Sequence, residues 1–291
     1  MTLLENRLLD YRRHVEEYMQ AYYARFHQEP QKILFECMNY SLLAGGKRLR
    51  AALVLEFCRV VGGDWRKALP FAAAIELVHA YSLIHDDLPC MDNDDYRRGK
   101  PTNHKVYGET LAILAGDALL TDAFTVATTA EVPAEHVVQA IQVLSECAGS
   151  LGMVGGQTLD IQSEQRLLTE QEVLDIQTRK TGALIRAACA MGAIAGGASL
   201  EQYEAACRYA AGIGLAFQIR DDMLDVIGSA DELGKNVGTD QTKNTFVRLY
   251  GLQKCEELVK KYTEQSIIAL QCFENAKCLK DLAIEMATRR K

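Results

Sequence analysis

Two aspartate clusters dominate the chemistry available to this chain: DDLPCMD over 86–92 and DDMLD over 221–225. On a helix, Asp221 and Asp225 fall at i and i+4 on one face, with Asp222 about 100° round. Gln218 lies seven residues before Asp225 and shares that stripe. Like charges at this spacing repel by a few tenths of a kcal/mol unless something neutralises them. Leu215, Phe217, Ile219, Met223, Leu224, Val226 and Ile227 surround the cluster. Carboxylates in such company need a partner, and a metal is the natural one; a solvated acidic face is the alternative. In the first cluster Pro89 disfavours helix at Leu88. Asp86 and Asp87 then sit at the last turn of a helix, with Asp92 beyond it and His79 two turns back on the face of Asp86. Mg²⁺ takes oxygen ligands in near-octahedral geometry, keeps several waters and binds through one or two carboxylates plus substrate phosphates. Two such clusters facing each other would clamp a diphosphate, which points to chemistry on a diphosphate leaving group. A calcium loop of the EF-hand type is excluded, because Tyr96 stands at the ligand position after Asp92 and Asp94.

Cationic patches accompany the acidic ones. GGKRLR at 45–50 places Lys47 and Arg50 at i and i+3 after a glycine pair, where a helix start offers free N–H groups and a favourable dipole to an anion. Read alone, that hexapeptide is more simply a basic surface turn. RRGK at 97–100 contributes Arg97 and Arg98, TRKTGAL contributes Lys180, and ELGK contributes Lys235. Four such patches beside two acidic clusters resemble two diphosphate pockets.

The elements that must position these residues read as helices. Only five prolines occur and none follows Pro133, which favours long uninterrupted helices. Val137, Ile141, Leu144, Ala148 and Leu151 form one apolar stripe of helical period. Alternating strands of useful length are absent. Helices are expected near 4–27, 30–43, 48–61, 67–90, 108–129, 134–151, 170–196, 201–228, 252–271 and 276–289. The glycine pairs at 45–46, 62–63, 155–156 and 196–197 read as helix ends or close crossings. The expected fold is an all-α bundle, one domain over 1–291, with no linker and no internal repeat.

Composition narrows the function. Lys plus Arg total 32 against 39 Asp plus Glu, a net charge of −7. That balance disfavours general attraction to nucleic acid or to anionic membranes. Nine dispersed cysteines with no CxxC fit reduced thiols in a cytoplasmic protein. The first residues carry acids and bases early and lack an apolar signal core. The most apolar stretch, 182–200, contains Arg186 and is rich in Ala and Gly, so helix packing explains it better than a membrane span.

In order along the chain, GGKRLR, LIHDDLPCMDNDDYRRGKPTNH, GGQTLD, RKTGAL and FQIRDDMLDVIG…GKNVGTD resemble the trans-isoprenyl diphosphate synthases. The match is closest to farnesyl and geranylgeranyl diphosphate synthases of the bacterial and plastid type and runs from about residue 35 to 250. The resemblance implies an all-α bundle around a deep central cavity, a homodimer, and two aspartate motifs facing each other at the cavity mouth. It implies that Asp86, Asp92 and Asp221 coordinate three Mg²⁺ ions, for which Mn²⁺ can substitute, on an allylic diphosphate. Asp87, Asp222 and Asp225 would support them, and Arg97, Lys180 and Lys235 would contact the same diphosphate. Lys47, Arg50, His79 and Arg98 would hold isopentenyl diphosphate, and Thr181 and Gln218 would present oxygens to the carbocation.

The chain departs from the family pattern at three places. Ala51 stands where proline is common after GGKRLR, the segment 235–243 is slightly short, and Phe246–Val247 replaces a Tyr-Pro pair. The terminal ATRRK resembles a basic tail that closes over isopentenyl diphosphate in some members; a solvated end is the other reading. Product length in the family is set beneath the first motif. Tyr81 and Ser82, five and four residues before Asp86, with the Pro89–Cys90 insertion, resemble enzymes that stop at C15. Farnesyl diphosphate is therefore the expected product, with geranylgeranyl diphosphate as the alternative because C20 synthases carry nearly the same run. A class I terpene cyclase is disfavoured by DDMLD and by Lys47, Arg50 and His79. A non-catalytic subunit of a heteromeric synthase is disfavoured because both acidic motifs are complete.

Overall fold

Thr2 opens the first helix with a capping box: its side chain accepts from the Glu5 N–H, and the Glu5 carboxylate accepts from the Thr2 N–H at 2.6 Å. The computed structural model describes residues 1–163, 166–233 and 244–289. Its helices are α1 (Leu3–Ala24), α2 (Lys32–Leu42), α3 (Leu49–Val61), α4 (Leu69–Asp86), α5 (Asn103–Tyr107), α6 (Glu109–Ala127) and α7 (Ala134–Ala148). There follow α8 (Met153–Ser163), α9 (Glu170–Gln177), α10 (Ala183–Ala195), α11 (Leu200–Leu233), α12 (Phe246–Ala269) and α13 (Lys277–Thr288). The all-α expectation holds. The chain groups into two units, Met1–Gln142 with Ile194–Gly197, and Val143–Ala193 with Ala198–Lys291.

In the first unit, α4 is buried without a break from Pro70 to Val78. A helix that is apolar all round belongs in a core, and α4 packs against α3 and α6. Gly116 of α6 makes one of these approaches possible. A Cβ there would stand 2.1 Å from His85 Nε2, which instead lies 3.1 Å from the Ile113 carbonyl. The expected run 67–90 ends at Asp86 because Pro89 withholds a donor and restricts Leu88. RRGK, read only as a basic patch, forms the turn of a two-stranded antiparallel ribbon that pairs Tyr96 with Pro101 and Arg97 with Lys100. Both turn residues, Arg98 (φ +53) and Gly99 (φ +74), have positive φ, the backbone that a two-residue I′ hairpin needs.

In the second unit, α11 lies along α12 over a core that includes Ile219, Met223, Phe246 and Val259. Three expectations change here. The helix expected over 134–151 stops at Ala148, which leaves Leu151 exposed in a glycine-punctuated turn. Helix α8 was not expected: the pair Gly155–Gly156 lies inside it rather than at an end. Gly156 is a close crossing, since a Cβ would stand 2.3 Å from the Lys180 backbone N. The single helix expected over 170–196 is broken at Thr178–Gly182 by one π turn, which adds a residue to the turn and re-aims the side chains on it.

Helices α4, α6 and the span Ala134–Ser163 are long and apolar enough to cross a membrane by length and composition. For α4 that apolarity is accounted for by its burial in the first unit. Replacing Gly156 by valine should lower stability by about 1–3 kcal/mol, the usual cost of overpacking a tight contact. Chemical denaturation followed by circular dichroism checks this; an unchanged midpoint would refute the close crossing.

Candidate active site

The first acidic motif sits where α4 gives way to loop. The Asp92 N–H donates to the Asp86 carbonyl at 2.9 Å, so the loop folds back and brings the two aspartates together at the backbone. Asp86 is half-buried and Asp92 exposed. Asp87 differs from both: it is buried, and Arg97 Nη2 and Nε each reach its Oδ1 at 2.6 Å. Burial raises the Asp87 carboxyl above its ordinary range, and the Arg97 bonds offset part of that. Arg97 also reaches Asp94 at 3.3 Å. It is thus already spent on the motif itself, although the sequence reading assigned it to a substrate diphosphate.

The GGKRLR turn lies in the same unit. Gly45 (φ +91), Gly46 (φ +130) and Arg48 (φ +50) all occupy left-handed backbone. For a non-glycine residue such as Arg48 this costs roughly 1–3 kcal/mol and survives only where the surroundings over-determine it. Arg98 lies against Gly46, with its Nη1 donating to the Gly45 carbonyl. Lys47 is exposed, and the Nε of Arg50 is buried without a protein partner. Arg48, Glu76, His79, Asp87, Arg97 and Arg98 line one narrow cavity.

His79 takes its character from that company. Burial first, then the charges of Arg50, Arg98, Arg48 and Arg97, hold its imidazole well below the ordinary value. Burial lowers the Arg50 guanidinium in the same way. Cations around this ring favour an anion beside it. Tyr81 is buried one turn before His85, in edge contact with its ring at a centroid distance of 5.7 Å; burial and the nearby Asp86 push its phenol up to about 12. Ser82 turns its hydroxyl back to the His79 carbonyl at 3.0 Å.

In the second unit a polar relay holds the other motif. Thr181 Oγ1 donates to Gln218 Oε1 at 3.1 Å, and Gln218 Nε2 donates to Asp222 Oδ1 at 3.0 Å. Asp222 Oδ2 accepts the Phe246 N–H at 2.8 Å, at the start of α12. Asp222 is buried, which raises its carboxyl; its two hydrogen bonds work in the opposite direction. Asp221 remains half-buried and Asp225 exposed. Lys180, on the π turn, pairs with Asp160 at 2.6 Å. Asp160 is the last residue of GGQTLD, and its pairing across to Lys180 has no local signature in the sequence. Arg289 of the ATRRK tail pairs with Asp221, stacks 4.1 Å from the Phe217 ring and is held by Arg220 through its carbonyl. Lys235 lies outside the described residues.

Among the described residues no three His, Cys, Asp or Glu side chains converge into a preformed metal cage. Asp86 and Asp92, at the end of α4, are hard oxygen donors of the kind that Mg²⁺ takes alongside waters and substrate phosphates; Asp221, paired with Arg289, is another such donor in the second unit.

A helical fold with two aspartate motifs, a basic turn and a buried cationic pocket is the equipment of an enzyme acting on diphosphates. The chain belongs to the polyprenyl synthetase family, whose model matches residues 31–284. It is 48% identical over 254 residues to heterodimeric geranylgeranyl pyrophosphate synthase large subunit 2 of Arabidopsis thaliana, covering 86% of this chain and 67% of that protein. It is also 48% identical over 246 residues to farnesyl diphosphate synthase of Micrococcus luteus, covering 84% of each. Its fold matches the crystal structure of an FPP/GFPP synthase from Zymomonas mobilis with a TM-score of 0.87, at 34% identity over 98% of this chain and 99% of that one. The chain is thus of the short-chain prenyltransferase class.

The His79 environment has a measurable consequence. Its folded value lies below the unfolded value of about 6.5, so the unfolded chain takes up the proton first. The associated stability is present above that pH and is lost as pH falls through it. Inorganic pyrophosphate should raise the His79 midpoint by countering the arginines, as read by NMR titration of its ring. A midpoint that does not move would refute an anion site there.

Proposed function

We propose that this protein condenses isopentenyl diphosphate with dimethylallyl diphosphate and then geranyl diphosphate to give (2E,6E)-farnesyl diphosphate. The carrying observation is the cavity lined by Arg48, His79, Arg97 and Arg98 beside the first acidic motif. Lys47, Arg50, His79 and Arg98 bind isopentenyl diphosphate. Asp86, Asp92 and Asp221 hold Mg²⁺, which supplies positive charge for the departing diphosphate. Asp87 and Asp222 do not compete for it, because Arg97 and the Gln218–Phe246 pair already occupy them.

In the reaction the allylic C–O bond breaks and the diphosphate leaves with the electron pair. The double bond of isopentenyl diphosphate then attacks the allylic cation, a C–C bond forms, and a proton is lost to the released diphosphate. Groups aimed at the charge that develops in the transition state stabilise it more than the ground state. Thr181 and Gln218, oriented by Asp222, present oxygens to the cation. The large buried side chain of Tyr81 supports a floor that stops growth at C15. The names of similar plastid proteins, geranylgeranyl pyrophosphate synthases from Arabidopsis thaliana and Capsicum annuum, favour C20 as the second reading.

We also propose that residues 1–291 act as one synthase domain in a cytoplasmic homodimer. The family match across both units supports the first part. For the dimer, α6 exposes Ile113 and Leu114 side by side, an apolar face that a second copy would cover.

Purified protein with Mg²⁺, isopentenyl diphosphate and dimethylallyl diphosphate should give a C15 alcohol after dephosphorylation, read by mass spectrometry. A C20 product would select the second reading, and no elongation would reject both. Tyr81→Ala should lengthen the product; an unchanged C15 chain would remove the ring as floor. Asp86→Ala and Asp221→Ala should each lower kcat by roughly 10²–10³, the loss typical of one electrostatic stabiliser, with folding intact by circular dichroism. Sedimentation should give twice the mass of the chain, and a monomer would reject the dimer.

A further inference from the structure

Glu76 is a carboxylate in the middle of an apolar helix, 2% exposed. It lies nearly three helical turns before Asp86 and belongs to neither acidic motif. Its position needs an explanation, since a buried charge is retained only where partners satisfy it. Both oxygens are engaged, one by Arg48 within GGKRLR and one by Ala51 directly after it. Oε2 accepts from Arg48 Nη1 at 3.3 Å, and Oε1 accepts from the Ala51 N–H at 3.2 Å.

Arg48 is the residue that carries the turn's non-glycine left-handed backbone, and it caps α3 without a side-chain cap bond. Its guanidinium is buried and fans out to Glu76, to Glu16 at 3.3 Å and to the Leu42 carbonyl. The Ala51 N–H is one of the donors that the first turn of α3 cannot satisfy internally. Glu76 therefore holds the turn at two points, the residue after Lys47 and the residue after Arg50. Lys47 and Arg50 themselves do not contact it by any hydrogen bond in the structure's described network.

Ala51 stands where proline is common in the family. Proline has no N–H to donate and fixes its own φ. With alanine, the backbone at 51 is freer by nature and gains a donor, and the buried carboxylate of Glu76 takes up that donor. The hydrogen bond does here what a ring would do elsewhere.

We propose that Glu76 is a positioning residue for the isopentenyl diphosphate site, fixing through Arg48 and the Ala51 N–H the turn that presents Lys47 and Arg50. This rests on the reading of that site given above. Both carboxylate oxygens of Glu76 are held by the protein, so it acts through Arg48 and the Ala51 N–H. Its loss disorders the anion-binding turn and leaves the machinery of the second unit untouched, so the two substrates respond differently.

The experiment compares wild type, Glu76→Gln, Glu76→Ala and Glu76→Ala with Ala51→Pro. Each is first shown to be folded by circular dichroism and thermal denaturation. Calorimetry then measures isopentenyl diphosphate binding, and steady-state assays measure KM for each substrate. Glu76→Ala should weaken isopentenyl diphosphate binding and raise its KM at least tenfold, with KM for the allylic primer within twofold. Glu76→Gln keeps an acceptor for the Ala51 N–H and should fall between; it carries the test if Glu76→Ala does not fold. Adding Ala51→Pro should recover part of the loss, which a merely structural role for Glu76 in the core would not predict. Equal changes in both KM values, or unchanged binding in an active synthase, would overturn the inference alone. Wild-type protein that binds no isopentenyl diphosphate would overturn it together with the reading of the site. Binding that is lost in Glu76→Ala while wild type fails to elongate would uphold the inference and reject the activity.

Discussion

Four guanidinium groups gathered around one neutral imidazole set the terms for the first unit. Such a cluster repels itself, most strongly around Arg48, which is buried. The fold answers with carboxylates distributed by position. Asp87 takes Arg97, Glu76 and Glu16 take Arg48, and a backbone carbonyl takes Arg98. Arg50 is left with a buried Nε and no protein partner there. Helix α4 carries Glu76, His79 and Asp86, with Asp87 as its C-cap, on one largely buried rod, so the placing of these groups in the cavity follows the phase of a single helix.

The second unit solves a different problem with neutral groups. Gln218 joins a hydroxyl on the π turn to a buried carboxylate, and that carboxylate caps α12. The amide of Gln218 is used at both ends, so its orientation is fixed by its neighbours. The π turn places Lys180 and Thr181 on the same wide loop of helix, and Gly156 lets α8 come close enough to bring Asp160 to Lys180. Small residues on one helix thus permit charged pairing on another.

Much of this was legible in the sequence, and the failures have physical causes. Helices α3, α6 and α11 fall close to where residue patterns place them. The acidic and basic motifs declared themselves by residue type, because few other combinations leave so many like charges close together. What pattern could not supply was pairing. That Arg97 belongs to Asp87, Lys180 to Asp160 and Arg48 to Glu76 depends on rotamers and tertiary approach, which carry no local signature. Helix α8 was missed because a glycine pair reads as a break when its reason is a close neighbour. The π turn was missed because one added residue leaves composition unchanged.

Asp222 has a consequence of another kind. Both of its oxygens are bound inside the protein, one by a side chain of its own helix and one by the backbone of the next. If α11 slid along α12 by one residue, a buried carboxylate would lose its donor and the first N–H of α12 its acceptor, an outcome more costly than the bond is favourable. The pair therefore works as an index pin: it admits one register between α11 and the start of α12, ahead of the kink at Gly251. Asp221 and Asp225, one residue before and three after on the same helix, take their bearings from it, much as the hands of a clock take their setting from a single keyed shaft.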